Sequence, residues 1–263
     1  VIEVPDPRAG ERLDAFVAEA LDVTRGYARR LLARGRVARR DRPARKGPLL
    51  RRGDRIDVGE FRHPREGILG APELELCVLQ AADDLIAIDK PAGLPTHPLD
   101  FEERRTASNA FVARHPESAH VGMGGLEPGL VHRLDTDTSG VLLFATRQDA
   151  WEQARRAFSE GRAQKRYLAR VHGILRGSRE LRLALEHRGQ RMRVVSHGGQ
   201  ATHTILRALE SGPSTSLIEV DLRTGARHQI RASLAHIGYP VVGDRLYGSD
   251  TDLGRHLLHA WSL

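Results

Sequence analysis

Leu13, Phe16, Val17, Ala20 and Leu21 recur at the i, i+3, i+4, i+7 and i+8 positions of one helical face. Thr24 then offers an N-cap for a second helix through Leu31 and Leu32, and Gly35 stands where that helix should stop. Residues 36–39 and 55–58 read as short strands. A stretch broken by Pro64, Gly67, Gly70 and Pro72 follows and predicts a linker. Beyond it the apolar runs predict strands at 74–79, 85–89, 141–146, 167–171, 192–195, 203–209 and 217–222. Helices are predicted at 106–114, 148–160 and 228–237. The expectation is a small α/β module over 1–60, a linker over 61–73 and a larger domain over 74–263. With many strands and few helices, that larger domain should be α+β, built on a mainly antiparallel sheet rather than a doubly wound one.

Charge sharpens this picture. The 263 residues carry a net charge of +7. Residues 25–55 alone hold twelve Arg and Lys46 against Asp41 and Asp54, a local charge of +11. The second predicted helix contributes Arg25, Arg29, Arg30 and Arg34, mostly on one side. A basic patch of that size predicts a polyanionic partner, because neutralising phosphates releases condensed counterions. The bland alternative is a solvated basic surface.

Other classes are excluded by what is missing. There is no run of about 20 apolar residues to span a bilayer, and Val1 opens a segment without the pattern of a secretory signal. The single cysteine, Cys77, permits no internal disulfide and suits a reducing, cytoplasmic setting. It also excludes a multi-cysteine zinc site. No phosphate loop, Gly-x-Ser-x-Gly elbow or His-Glu-x-x-His helix is present. His256 and His259, three apart, read as ordinary surface or core histidines rather than metal ligands. Asp135-Thr136-Asp137-Thr138-Ser139-Gly140 resembles an aspartic-protease loop only superficially, since the second such loop is absent. No metal, no cofactor, no membrane and a monomer are the expectations.

Three segments concentrate chemistry: the run from Gly129 through His132-Arg133-Leu134-Asp135 to Gly140, then Lys165-Arg166-Tyr167, then Arg223 through His228-Gln229-Ile230-Arg231, followed by Gly238-Tyr239-Pro240-Val241-Val242-Gly243-Asp244. Upstream lies Asp89-Lys90-Pro91-Ala92-Gly93-Leu94. The first run puts a carboxylate and two basic side chains on a polar turn before an apolar strand. Such turns on rigid scaffolds often carry catalytic groups; a structural ion pair between Asp135 and an Arg is the equal alternative.

Together these segments resemble the RluA family of RNA pseudouridine synthases, over about residues 75–261. The first module is similar to the alpha-L RNA-binding motif, through Arg12-Leu13-Asp14, Gly35-Arg36-Val37 and Gly53-Asp54-Arg55-Ile56. The resemblance implies the pseudouridine synthase fold and isomerisation of uridine in structured RNA without a cofactor. It implies Asp135 as the essential catalytic group, Arg231 as its salt-bridge partner and Tyr167 against the target base. It further implies Arg133 as the residue that displaces the base or holds its phosphate, with His132 beside it at the substrate side, more as a support of the loop than as a proton carrier. Arg25, Arg29 and Arg30 are the expected RNA contacts of the first module. Large-subunit ribosomal RNA is the expected target, with transfer RNA as the alternative. A non-catalytic RNA-binding or ribosome-assembly protein and a base-releasing hydrolase are the competing readings. Two departures stand out: Ser233 occupies a position where many relatives carry His, and the chain stops at Leu263, where relatives often continue.

Overall fold

A computed structural model describes residues 1–5, 8–40, 49–249 and 253–263. Part of the basic stretch, 41–48, and with it Asp41 and Lys46, lies outside the described residues. The chain divides into two units, Val1–Glu66 and Gly67–Leu263.

In the first unit, β1 (Ile2–Glu3), α1 (Leu13–Ala20), α2 (Arg25–Ala33), β2 (Val37–Arg39) and β3 (Arg55–Val58) follow in order. The strands form an antiparallel sheet, β1-β3-β2. The predicted apolar face of α1 is the buried one, through Leu13, Phe16 and Val17. Thr24 caps α2 by accepting from the Tyr27 N–H at 3.2 Å, and Gly35 leaves the helix at φ +68°, a conformation open to glycine.

The stretch expected as a linker is not free chain. The Tyr27 hydroxyl donates to the Arg62 carbonyl at 2.7 Å within the first unit. Ile68 and Ala71 are buried in the second unit, where the Ala71 N–H donates to the Asn109 carbonyl at 3.0 Å. The Asn109 side chain returns a bond to the Leu69 carbonyl at 2.7 Å. Pro and Gly mark turns here without marking mobility.

The second unit begins with β4 (Cys77–Ala82), β5 (Leu85–Lys90), α3 (Ala107–Arg114), β6 (Ser139–Ala145), α4 (Gln148–Ser159) and β7 (Arg166–His172). It continues with β8 (Ser178–Arg188), β9 (Arg191–Val195), β10 (Gln200–Ser211), β11 (Thr215–Leu222), α5 (Gln229–His236) and β12 (Leu258–Ser262). One nine-stranded sheet runs β4-β5-β6-β12-β7-β11-β10-β8-β9. Every pair is antiparallel except β6 with β12. The unit is therefore α+β with a mainly antiparallel sheet.

Three differences from the sequence reading matter. The strand expected at 74–79 starts only at Cys77, because Leu74 closes a turn onto the Ala71 carbonyl. Two strands of this unit, β8 and β12, were not expected. The second of these is central: it lies between β6 and β7 and joins the strand after Asp135 to the strand bearing Tyr167.

Glycine is required at that junction. A Cβ on Gly140 would stand 2.0 Å from the Ala260 carbonyl oxygen, and φ there is +110°. Only a residue without a side chain lets β6 and β12 pair at that point. The core beneath the sheet includes Ile88, Leu142, Phe144, Val171, Leu206 and Ile218. Phe111 of α3 stacks on Phe144 at 4.2 Å. Each such side chain contributes about 1.5–3 kcal/mol by burial, which makes the central strands a rigid platform for the loops above them.

Candidate active site

Asp135 sits in the turn that feeds β6, closed by the Thr138 N–H onto the Asp135 carbonyl at 3.1 Å. Neighbouring loops clamp that turn. The Lys90 ammonium is fully buried and donates to the carbonyls of Pro91, Leu94 and Thr136 at 2.8, 2.7 and 2.9 Å. Burial lowers its pKa to about 8, opposed by the charges of Asp137, Asp135 and Asp89. The Thr96 hydroxyl donates to the Leu134 carbonyl at 2.6 Å and accepts from its N–H at 3.2 Å. The Asp-Lys-Pro run thus has a function the sequence alone did not assign: its lysine ties two loops together under the carboxylate.

Arg231 of α5 meets Asp135 directly, Nη1 to Oδ2 at 2.7 Å. Its other nitrogens go to Asp244, Nε to Oδ2 at 2.6 Å and Nη2 to Oδ1 at 2.9 Å. One guanidinium therefore spans two carboxylates, a geometry its planar fork fits and an ammonium does not. Burial opposes the charge on Arg231, but the Asp244 and Asp135 contacts outweigh it and raise its pKa. Burial likewise pushes Asp244 up, and the Arg231 hydrogen bond holds it below its ordinary value. Asp244 closes a run noted in the sequence but with no task assigned to it; nothing local in Gly243-Asp244 marks it as the anchor of an arginine thirteen residues away.

Tyr167, on β7, is buried, and its register partners are Val220 of β11 and Ala260 of β12. Burial raises its phenol pKa, and the charge of Asp135 raises it further. Asp135, Tyr167 and Arg231 thus share one electrostatic neighbourhood. Arg133 lies on the open side, exposed, with Nη1 3.3 Å from Glu127 Oε1. His97 approaches the same Glu127 oxygen at 3.3 Å.

His132 faces inward from the same loop. Its Nε2 accepts the Leu143 N–H at 3.2 Å, and its ring stacks on Phe158 at 5.1 Å. A ring so engaged has no free lone pair to offer; it fastens the loop to β6. His256 and His259, read as ordinary histidines, pair with Thr138 and Ser139 at 2.8 and 2.9 Å in the same turn. Ser233 is fully buried, and its hydroxyl meets no hydrogen-bond partner among the described residues.

In the first unit, Arg25 and Arg29 are already committed. Both bind the buried Asp14 carboxylate, at 3.1 and 2.6 Å, together with Arg12 at 3.0 Å. Hydrogen bonds from Arg12 and then Arg25 hold Asp14 well below the usual carboxylate range. The two arginines remain half exposed, so they serve the fold first and face solvent second. The Arg30 guanidinium lies over the Tyr27 ring at 5.4 Å.

Burial lowers His132 and His256 each to about 4 from an ordinary 6.5. The folded protein resists a proton that the unfolded chain accepts. The stability is fully present above about pH 6.5 and is lost as pH falls toward about 4. At roughly 1.4 kcal/mol per unit, each histidine accounts for at most about 3 kcal/mol. Urea unfolding should show a clearly lower midpoint at pH 5 than at pH 7; equal midpoints would contradict the burial of these rings.

Residues 84–236 match the family model described as RNA pseudouridylate synthase. An RNA pseudouridine synthase of Chloroflexus aurantiacus, itself uncharacterised, is 37% identical over 99% of this chain and 83% of its own length. The ribosomal large subunit pseudouridine synthase D of Neisseria meningitidis is 32% identical over 94% of this chain and 66% of its own. Among solved structures, human RNA pseudouridylate synthase domain containing 1 superposes with a TM-score of 0.58 at 27% identity, covering 73% of this chain and 78% of that one. Human RNA pseudouridylate synthase domain containing 4 shares the fold, with a TM-score of 0.54 at 23% identity, over 70% of this chain and 82% of that one. Fold and comparisons define an RNA-modifying isomerase. The chain belongs to the RNA pseudouridine synthase family.

Proposed function

We propose that Asp135 is the carboxylate that acts on the ribose of a uridine extruded from large-subunit ribosomal RNA. The observation that carries this reading is the 2.7 Å contact of Arg231 with one oxygen of Asp135, on a turn clamped by Lys90. In the reaction the bond from C1′ to N1 of uracil breaks, the base turns, and C1′ joins C5. C5 gives up its proton and N1 gains one, so nothing is added overall. Attack on the sugar and removal of a sugar proton both start from the same charged oxygen. A uridine stacked in RNA is out of reach, so extrusion must come first. Arg133, exposed beside the loop, fits the displacement of the base or the grip on its phosphate. Tyr167 keeps its proton at neutral pH, because burial raises its pKa. Its part is then to pack its ring against the uracil.

The ribosomal target is supported by the name of the Neisseria relative and by the basic first unit. That unit has two helices packed with a small sheet and a cluster of arginines, as expected of an alpha-L RNA-binding module. The test is tritium release from RNA labelled at uridine C5, prepared from cells lacking the protein. Release from the large-subunit ribosomal fraction supports the target; release confined to transfer RNA rejects it.

The first unit makes a separate prediction. Arg34 and Arg36 are exposed. Replacing both with Gln should weaken RNA binding. The slope of log affinity against log salt should fall by about 0.7–0.9 for each phosphate no longer neutralised. An unchanged slope would remove the electrostatic role assigned to this face.

A further inference from the structure

Asp135 has two carboxylate oxygens, and Arg231 accounts for one of them, Oδ2. The other, Oδ1, faces the Nε2 of His228 at 3.8 Å. His228 stands immediately before α5 with φ +49°, a left-handed backbone that side-chain-bearing residues rarely adopt. Such a conformation costs about 1–3 kcal/mol and persists where surrounding contacts impose it. Here the imposing contact is Tyr247. Its hydroxyl lies 3.0 Å from His228 Nδ1, and the two rings meet edge to face at 5.8 Å.

Tyr247 can set which nitrogen of His228 carries the proton. Its hydroxyl oxygen accepts the Met192 N–H at 2.7 Å. Its own proton then has one acceptor among the described residues, His228 Nδ1. With the hydroxyl donating there, the hydrogen of the neutral imidazole stands on Nε2, the nitrogen turned toward Asp135. Burial favours that neutral ring, against the charge of Asp135 and with the charges of Arg231 and Arg227; Asp244 opposes. Tyr247 is itself placed by the Asp244 turn, since Oδ1 of Asp244 accepts the N–H groups of Leu246 and Tyr247 at 3.1 and 3.3 Å. The Arg231 guanidinium lies over the Tyr247 ring at 5.2 Å. A single buried anchor, Asp244, therefore sets both groups that face Asp135.

We propose that His228 is a positioning residue for the reaction: its Nε2–H approaches the oxygen of Asp135 that Arg231 leaves open and fixes how the carboxylate is presented to the ribose. The 3.8 Å separation shortens to a hydrogen bond when RNA closes the site, as such contacts commonly tighten in the substrate complex. This inference rests on the reading of Asp135 as the reacting group.

The test is His228→Gly, with Tyr247→Phe beside it, assayed by tritium release from uridine-labelled RNA of cells lacking the protein. Glycine adopts the left-handed backbone without strain, which offsets the lost ring contacts in part, so the fold should be held with a thermal midpoint within a few degrees of the parent. The expected result is a kcat lower by about tenfold or more with KM within about twofold, partly restored by added imidazole. Tyr247→Phe, which frees the tautomer, should lower kcat by a smaller factor in the same direction. A His228→Gly enzyme with kcat within about twofold of the parent would overturn the proposal. A fall in kcat that follows a lower thermal midpoint and is not restored by imidazole would also overturn it. Asp135→Asn separates the two levels. If that variant is active, the reading of Asp135 itself fails. If it is inactive while His228→Gly is normal, only this inference fails.

Discussion

Asp135→Asn should reduce pseudouridine formation below about one-thousandth of the parent rate while leaving RNA affinity within about twofold. The amide has the shape of the carboxylate and still offers an oxygen to Arg231 Nη1, now 2.7 Å from Oδ2. Arg231 keeps both bonds to Asp244, and the loop keeps its Lys90 clamp. The change therefore removes a charge and little else, at a stability cost of about 1–2 kcal/mol. Tritium release measures the first effect and filter binding the second. Normal turnover in this variant would end the catalytic assignment; a large loss of binding would mean that Asp135 organises the RNA surface instead.

Arg231→Met should act on both stability and rate. Asp244 is almost completely buried, and the guanidinium is its cationic partner through two bonds. Removing one partner of a buried pair strands the other charge and costs about 3–5 kcal/mol. Methionine fills most of the space, so the loss reads the charge rather than a cavity. Two backbone N–H groups still reach Asp244 Oδ1, which places the expected figure toward the lower end. Urea unfolding at neutral pH should show this loss, together with turnover reduced beyond detection. Arg231→Lys should keep more of the stability but little of the activity, because one ammonium cannot reach both carboxylates. A Met variant within about 1 kcal/mol of the parent would contradict the two-carboxylate anchor.

How much of this was legible in sequence follows from where each signal sits. α1 was readable because its apolar positions repeat at the helical period over residues that pack locally. β11 was readable because burial alternates along its whole length. β8 was missed although Leu181, Leu183 and Leu185 alternate with Glu180, Arg182, Ala184 and Glu186. Most of that strand is exposed, and its Leu, Ala, Glu and Arg content suits a helix as well. β12 was missed because five residues near the chain end carry no sign that they complete the sheet between two distant strands.

The site divides in the same way. Asp135, Tyr167 and Arg231 were legible through runs of neighbouring residues that resemble a known family. Lys90, Asp244, His228 and Tyr247 stood inside or beside those runs without an assigned task. Their roles depend on contacts across 13 to 96 residues of chain, or on which atom a neighbour leaves open, such as Arg231 with Asp244 and with Asp135. His132, expected more as a support of the loop than as a proton carrier, turns its ring inward onto Phe158.

The most direct measurement is a map of pseudouridines in cellular RNA from three strains: one with the protein, one without it, and one carrying Asp135→Asn at the parent level. The account predicts a defined set of uridines in large-subunit ribosomal RNA that are converted in the first strain and unconverted in the other two. Conversion at those positions in the Asp135→Asn strain would contradict it.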